Sequence, residues 1–334
     1  MSYMRNGADM TIRFTVRTDC HVHDKAPQSR VDNYLDTCIT KLHQVADHAR
    51  KNRCDAVIDN GDFFHAKAAT KNSHEMVRRV IDLHREFYPC PVYENPGNHD
   101  FPYNNVDYVE RQPLGVLFSA GIFQRLEDEV FEDEDGLKVR VVGFPFKTEY
   151  DPLEFDIERG DEDVLIAAVH HFASPEGGEI YGGADKALSY LDLADCSPDF
   201  FIFGHWHIDQ GIQTVKDTTF MNLGSMTRGS LTKDNLDRTP RFGFIEVEKA
   251  VDGSVDVHTE AVEYDVESSE DVFDLERHER LEKEQQDIEQ FVSTLVQTAE
   301  DDGEENILEV VKEMSDFEGS VRKKAIQYLE DVMQ

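Results

Sequence analysis

The chain has 334 residues, with 69 acidic against 34 basic side chains and a formal net charge of −35. That length suits one large α/β core with an appendage; no run of about 18 apolar residues offers a membrane span, and five scattered cysteines without a CxxC pair argue against a disulfide frame or a zinc ribbon. So acidic a chain repels phosphate polymers at low salt, which leaves bound divalent cations, a basic partner or a salt-loving source to offset the charge.

Met1 to Met10 has neither an apolar core nor a cleavage signature, so a cytoplasmic protein without a leader or membrane association is expected, from a virus or a halophile if the charge reflects its source. Thr11 to Val16 reads as the first strand and runs into Thr18-Asp19-Cys20-His21. The spacing sends Asp19 and His21 to one side of an extended segment and Cys20 to the other. Arg30 to Asn52 follows as a helix with Leu35, Cys38, Ile39, Leu42, Val45, Ala46 and Ala49 in one stripe, leaving His43 and His48 for the surface. Ala56 to Ile58 is the next strand, and Gly61 permits the tight turn that delivers Asp62 in Asn60-Gly61-Asp62-Phe63-Phe64-His65. Ser73 caps a helix that reaches Phe87. Pro91 to Tyr93 then leads into Asn95-Pro96-Gly97-Asn98-His99-Asp100, a turn that carries two ligand candidates and a supporting carboxylate.

Phe123 to Phe146 reads as a hairpin around the acidic turn Glu132-Asp133-Glu134-Asp135-Gly136. Val164 to Val169 and Phe200 to Phe203 are apolar runs of buried-strand type, ending in His170-His171 and in Gly204-His205-Trp206-His207. Strands near Ile212 to Val215, Thr219 to Asn222 and Phe242 to Val247 form an expected meander that completes a second sheet. Past Asp265 the composition shifts: Ser269 to Thr298 places Leu281, Ile288 and Leu295 at heptad spacing, and Glu304 to Gln334 is a second amphipathic segment. Such stripes pack either on their own domain or on a partner's helices.

In an α/β sheet ligands gather at the carboxyl ends of strands, so these five strand ends point their polar groups into one crevice. Asp19, His21, Asp62, Asn98, His170, His205 and His207 make a mixed oxygen and nitrogen shell without thiolate, suited to manganese, iron or zinc. They are too many for one tetrahedral ion and fit two ions sharing Asp62. Two cations about 3.5 to 4 Å apart activate a water and hold the oxygens of a phosphate ester, so the expected reaction is phosphoester hydrolysis. His99 is expected to face substrate as an acid or charge stabiliser, with Asp100 orienting it and His65 facing the same cleft. His171 points to the opposite face and receives no role.

The order DxH, GD, GNHD, H, GHxH over residues 12 to 247 resembles the calcineurin-like metallophosphoesterases. The resemblance implies a four-layer α/β/β/α sandwich with a C-terminal helical tail, in which Asp19, His21, Asp62 and His207 hold one metal and Asp62, Asn98, His170 and His205 the other. Within that superfamily the chain looks most like SbcD-type DNA double-strand-break repair nucleases and their phage relatives. The matching stretches are Arg30-Val31-Asp32-Asn33-Tyr34, Gly61-Asp62-Phe63-Phe64-His65, Gly143-Phe144-Pro145-Phe146 and Asn222-Leu223-Gly224-Ser225-Met226-Thr227-Arg228. It implies two divalent ions, usually Mn2+, exo- and endonuclease action on DNA ends, a possible homodimer, and an SMC-like ABC ATPase of the SbcC type held through 269–334. The implied layout is a catalytic domain over 1–247, a short cap or connector over 248–268 and the partner-binding tail over 269–334. Two departures stand out: Val22-His23 replaces the usual Leu-Gly after DxH, and the stretch after Phe242 is short for a full DNA-capping domain. A small-molecule phosphodiesterase or phosphatase on the same fold is the alternative, and a metal-free interaction module the third reading. The GNHE and GDxVDRG stretches of serine/threonine protein phosphatases are replaced by GNHD and GDFFHAK.

Overall fold

The computed structural model describes residues 11–27, 29–180 and 185–277, together with 279, 280 and 283. In chain order the elements are β1 (Thr11–Arg17), α1 (Tyr34–Asn52), β2 (Ala56–Asp59), α2 (His74–Phe87), β3 (Val92–Glu94), α3 (Pro113–Ser119), β4 (Gln124–Arg125), β5 (Asp128–Glu132) and β6 (Lys138–Phe144). Then come β7 (Val164–His170), β8 (Ala173–Ser174), β9 (Gly178–Ile180), β10 (Asp185–Ser189), α4 (Tyr190–Leu193), β11 (Phe200–Gly204), β12 (Gly211–Val215) and β13 (Thr218–Asn222). The series ends with α5 (Lys233–Asp237), β14 (Arg241–Lys249), β15 (Val255–Glu263) and α6 (Ser269–Val272).

Two six-stranded sheets carry the architecture, in the orders β15-β14-β1-β2-β3-β4 and β12-β13-β11-β7-β6-β5. In the first, β1, β2, β3 and β4 run parallel; in the second, β6, β7, β11 and β13 do. Parallel strands covered on both faces read as unbroken apolar runs, and β7 is buried along its whole length. Alternation then assigns each face. Val164, Ile166 and Ala168 of β7 join Phe14, Ile58, Phe200 and Ile245 in a core between the sheets, whereas Ala167 and Val169 join Phe201, Phe203, Tyr190 and Leu193 on the outer side. Over the first sheet, Leu35, Cys38, Leu42 and Val45 of α1 and Met76, Val80 and Leu83 of α2 close a third core on Val57 and Val92. The result is the α/β/β/α sandwich of the sequence reading. Helix starts follow the expected chemistry, with Asn33 accepting from the Asp36 amide and Ser73 from the Met76 amide. The five cysteines are free, and Cys20, Cys38 and Cys54 are buried.

Three expectations change. Residues 242–247 were read into the second sheet, but β14 crosses back to pair antiparallel with β1. The second sheet's edge beyond β13 is already taken by antiparallel β12, and crossing lets Ile245 and Val247 bury between the sheets. Residues 248–268, read as a cap or connector, supply β15, which pairs with β14 from Arg241↔Glu263 to Lys249↔Val255. His48 is not a surface residue: its Nδ1 lies 3.0 Å from the Thr15 hydroxyl, and its ring packs on Phe242 and Phe244, because β14 runs beneath α1. His43 likewise packs on Phe87 at 4.4 Å.

The chain separates into two compact units, Met1–Asp271 and Val272–Gln334. The helical tail expected over 269–334 and its partner contact lie, beyond the first few residues, outside the described residues. Among the described residues no helix is long and apolar enough to cross a membrane.

Candidate metal centre

The loops that leave β1, β2 and β11 are held in a conformation that side chains seldom accept. Asp19 (φ 49°), His21 (φ 45°), Asp62 (φ 56°) and His205 (φ 83°) all sit in the left-handed region, where a residue with a Cβ persists only if its surroundings over-determine it. The surroundings do so. The Asp19 amide donates to the Gly61 carbonyl at 2.9 Å, the His21 amide to the Asp62 carbonyl at 2.9 Å, and the Met226 amide to the Asp19 carbonyl at 3.2 Å. Gly61 and Gly97 leave room for close approach: a Cβ on the first would lie 2.2 Å from His170 Nδ1, and on the second 2.3 Å from Asp62 Oδ1.

These loops bring the predicted ligands together in two groups. Asp19, His21, Asp62 and His207 offer donor atoms within 4.8 Å of one another, and so do Asp62, His170 and His205. His21 Nε2 and His207 Nε2 are 2.9 Å apart, and His207 Nε2 stands 3.4 Å from Asp19 Oδ1. Asp62 belongs to both groups through a single atom: Oδ2 lies 3.6 Å from His21 Nε2 and 3.5 Å from His170 Nε2. Its other oxygen accepts the His99 amide at 2.7 Å. Asn98 lines the same space. His170 Nε2 and Asn98 Oδ1 are buried without a hydrogen-bond partner in the described structure. Orphaned donors of this kind, converging from oxygen and imidazole nitrogen, fit a pair of divalent cations.

The electrostatics agree. Burial pushes Asp19 and Asp62 towards neutrality, but facing imidazoles hold both carboxylates well below their ordinary range. Burial would also drive His170 down, yet the Asp62 carboxylate raises it to about 9. His205, buried beside a charged His170, falls to about 3. In the metal-free protein His170 therefore carries a proton at neutral pH. That contribution to stability is complete below the ordinary histidine value of about 6.5 and is lost as pH rises through 9. A cation must displace this proton, so metal affinity should weaken by about tenfold per unit as pH falls below 9. His207 is raised as well: burial opposes it, but the facing Asp19 carboxylate outweighs that, so calorimetric titration at neutral pH in buffers of different ionisation enthalpy should count at least one proton released per protein; a count of zero contradicts the assignment.

The predicted catalytic residues fare differently. His99 lines the groove, with Nδ1 2.6 Å from the His65 carbonyl oxygen. Nδ1 must donate to that carbonyl, which fixes the ring and leaves Nε2 for another partner. Its ring meets His21 edge-on at 4.8 Å. His65 is exposed, with its ring 5.4 Å from both His21 and His99; partial burial and its histidine neighbours lower it to about 4. Asp100 does not orient His99. Its Oδ2 accepts the Asp62 and Gly97 amides, each at 2.8 Å, so it fixes the two turns that carry Asp62 and Asn98. His171, assigned no role, is buried with Nδ1 3.1 Å from the Phe172 carbonyl.

Two residues went unassigned in the sequence although they build the floor of the site. Asn60 donates from Nδ2 to the Val169 and Ile202 carbonyls, while its own carbonyl accepts from His170 Nδ1 at 2.6 Å. Asn95 donates to Asn60 Oδ1 and to the Phe144 and Ala168 carbonyls. Together they stitch the strand ends of one sheet to those of the other. An Asn directly after a buried strand and before Gly-Asp or Pro-Gly was the available signal. The Arg30–Tyr34 and Asn222–Arg228 stretches also meet, through Tyr34 Oη to Thr227 Oγ1 at 2.7 Å and Arg30 Nη1 to the Arg228 carbonyl at 2.8 Å. The metal groups open into a groove of about 1120 Å³ that extends along residues 225–238.

A family model described as calcineurin-like phosphoesterase matches residues 12–209. Among solved structures the chain is similar to a putative 5′-nucleotidase from Staphylococcus aureus in complex with alpha-ketoglutarate, at 18% identity and a TM-score of 0.51, covering 82% of this chain and 58% of that one. It is also similar to the calcineurin-like phosphoesterase YfkN from Bacillus subtilis, at 16% identity and a TM-score of 0.45 over 77% of this chain and 91% of that one. A dimetal phosphatase from Danio rerio gives 11% identity and a TM-score of 0.47, over 77% of this chain and 100% of that one. The chain thus spans little more than half the length of the nucleotidase, and likeness at these identities speaks to the fold alone. No curated protein matches the sequence.

Proposed function

Because the chain belongs to the calcineurin-like phosphoesterase family, we propose that it is a two-metal phosphodiesterase that hydrolyses DNA, a nuclease working beside an SMC-like ABC ATPase. The observation that carries this reading is the groove. It does not close around the metal groups as a pocket for one small ester would; it continues along residues 225–238, and its lining includes Lys25, Lys233 and Arg238 in a chain of net charge −35. Lys25, Lys233 and Arg238 would give a phosphate backbone cationic contacts along this cleft. The ATPase contact rests on the heptad spacing within 269–334.

When bound, two divalent cations supply an activated water and charge stabilisation at the phosphoryl oxygens, with Mn2+ the proposed native pair. The chain's own residues do the rest. Asp19, His21, Asp62 and His207 would hold one cation, and Asp62, Asn98, His170 and His205 the other. Asp100 locks the Asp62 and Gly97 amides, so the shared carboxylate and Asn98 keep one spacing. His99, whose Nδ1–H is held by the His65 carbonyl, would give the leaving oxygen the second proton of its imidazolium form from Nε2.

The second reading, a small-molecule phosphodiesterase or phosphatase, is favoured by Asp209, Asp234 and Asp237, which line the same groove and would repel a long polyanion. One experiment separates the two. The purified chain with MnCl2 should degrade linear duplex DNA and release dye from bis-p-nitrophenyl phosphate, with both activities lost in EDTA. His99→Ala should keep its metal but lose roughly 10²- to 10³-fold in DNA cleavage, the usual scale of a general acid. Dye release with no DNA cleavage, even with the ATPase added, would move the assignment to the small-molecule reading.

A further inference from the structure

The groove holds a large aromatic surface that phosphate hydrolysis does not require. Trp206, the chain's single tryptophan, lies between the ligand residues His205 and His207, and its half-buried ring lines the groove. Phe172 packs against it edge-on at 5.7 Å, with the rings 82° apart, and Phe172 itself rests on His205 at 4.1 Å. The indole is therefore tied to the metal centre by two aromatic contacts. Ile208, 45% exposed, extends the apolar surface along the same wall. The indole Nε1 is buried and makes no hydrogen bond among the described residues, although a buried tryptophan N–H normally finds an acceptor.

An aromatic ring in a groove that also carries Lys25, Lys233 and Arg238 has the elements that receive single-stranded nucleic acid, where cations meet the backbone while bases stack on aromatic faces. The phosphate of a nucleotide would sit at the metal groups, and its base needs a surface beside them. A base still paired within duplex cannot reach such a surface without the cost of unpairing and unstacking. Building on the DNA reading above, we propose that Trp206 is a stacking platform for an unpaired base next to the scissile phosphate, so that the enzyme takes single-stranded or frayed ends in preference to closed duplex.

The full chain can report on this directly, because all of its tryptophan emission comes from Trp206. In EDTA, which prevents turnover, a labelled short oligothymidylate should quench that emission in step with its own rise in anisotropy, and a relaxed, covalently closed circular duplex should not. Trp206→Ala should weaken oligothymidylate binding by about tenfold, whereas Trp206→Phe, which keeps an aromatic face, should retain most of it. Oligothymidylate that binds without changing the emission, or binds Trp206→Ala as tightly as wild type, overturns the platform while leaving DNA cleavage standing. If neither DNA binds or is cut while bis-p-nitrophenyl phosphate is hydrolysed, the DNA reading fails and the platform falls with it. Should Trp206→Ala fail to fold, the wild-type emission titration decides alone.

Discussion

Replacing Asp62 with alanine should abolish hydrolysis, lowering activity by a factor on the order of 10³ or more, and should remove both equivalents of metal rather than one. Asp62 Oδ2 is the one donor atom that faces both groups, 3.6 Å from His21 Nε2 and 3.5 Å from His170 Nε2. Its Oδ1 also anchors the His99 amide, so the same change frees the turn that carries Asn98 and His99. His207→Ala should behave differently, because it leaves Asp62, His170 and His205 complete; about one equivalent should remain. Asp62→Asn is the informative control. Asparagine tolerates the left-handed backbone at this position and can still accept the His99 amide, but it brings no negative charge to the shared position. Elemental analysis, activity and the metal-dependent rise in Tm should fall together in Asp62→Ala and Asp62→Asn, and only partly in His207→Ala. An Asp62→Ala protein that keeps two metal equivalents would remove Asp62 from the centre of the site.

Those ligands were legible because the physics that buries a parallel strand also marks its end. Ala56–Ile58, Val164–Val169 and Phe200–Phe203 are apolar throughout, so the polar cluster that follows each, with Asp62, His170 and His205 among its residues, marks where the chain emerges into the crevice. What the sequence withheld depends on contacts between distant segments. Asn60 and Asn95 look like ordinary turn residues until the second sheet supplies the Val169, Ile202 and Ala168 carbonyls that their amides satisfy. Asp100 follows His99 in the chain and was read as its partner, but the turn carries its carboxylate back to the Asp62 amide. His48 was read as exposed from the helix stripe, and becomes half-buried only because β14 returns to β1. Reading strands in sequence order favours neighbouring pairs, and that preference is what misplaced β14.

The largest effect on stability should come from a residue that touches no ligand and that hydrophobic patterning does not single out. Arg17 ends β1 at 1% exposure, beside Asp59 of β2, which stands in turn beside Glu94 of β3. Its guanidinium donates to Asp59 Oδ2 at 2.6 Å, to the Tyr88 hydroxyl, and to His84 Nε2 at 3.2 Å, while His84 Nδ1 donates to the Val80 carbonyl. Phe63, Tyr88 and Phe123 surround it with ring faces at 5.2, 5.3 and 5.7 Å. One cation here balances one carboxylate; burial and the charge of Asp59 push Glu94 well above the carboxylate range, so it is neutral. Arg17→Met fills the volume but strands Asp59 in a dry core, and should cost about 3–5 kcal/mol in urea unfolding. Arg17→Lys keeps the charge and loses the planar fork, so it should fall between the two. Burial already raises Asp59 in wild type against the opposing charge of Arg17, so in Arg17→Met it should rise further. A folded value raised above the unfolded one places the surviving stability at low pH and removes it as pH rises, so the deficit should be smaller in mild acid than at alkaline pH. The double variant Arg17→Met/Asp59→Leu should regain most of the loss, because it removes the stranded charge along with its partner. A single Arg17→Met protein as stable as wild type across that pH range would show that this buried row is not what holds β1, β2 and β3 in place beneath the site.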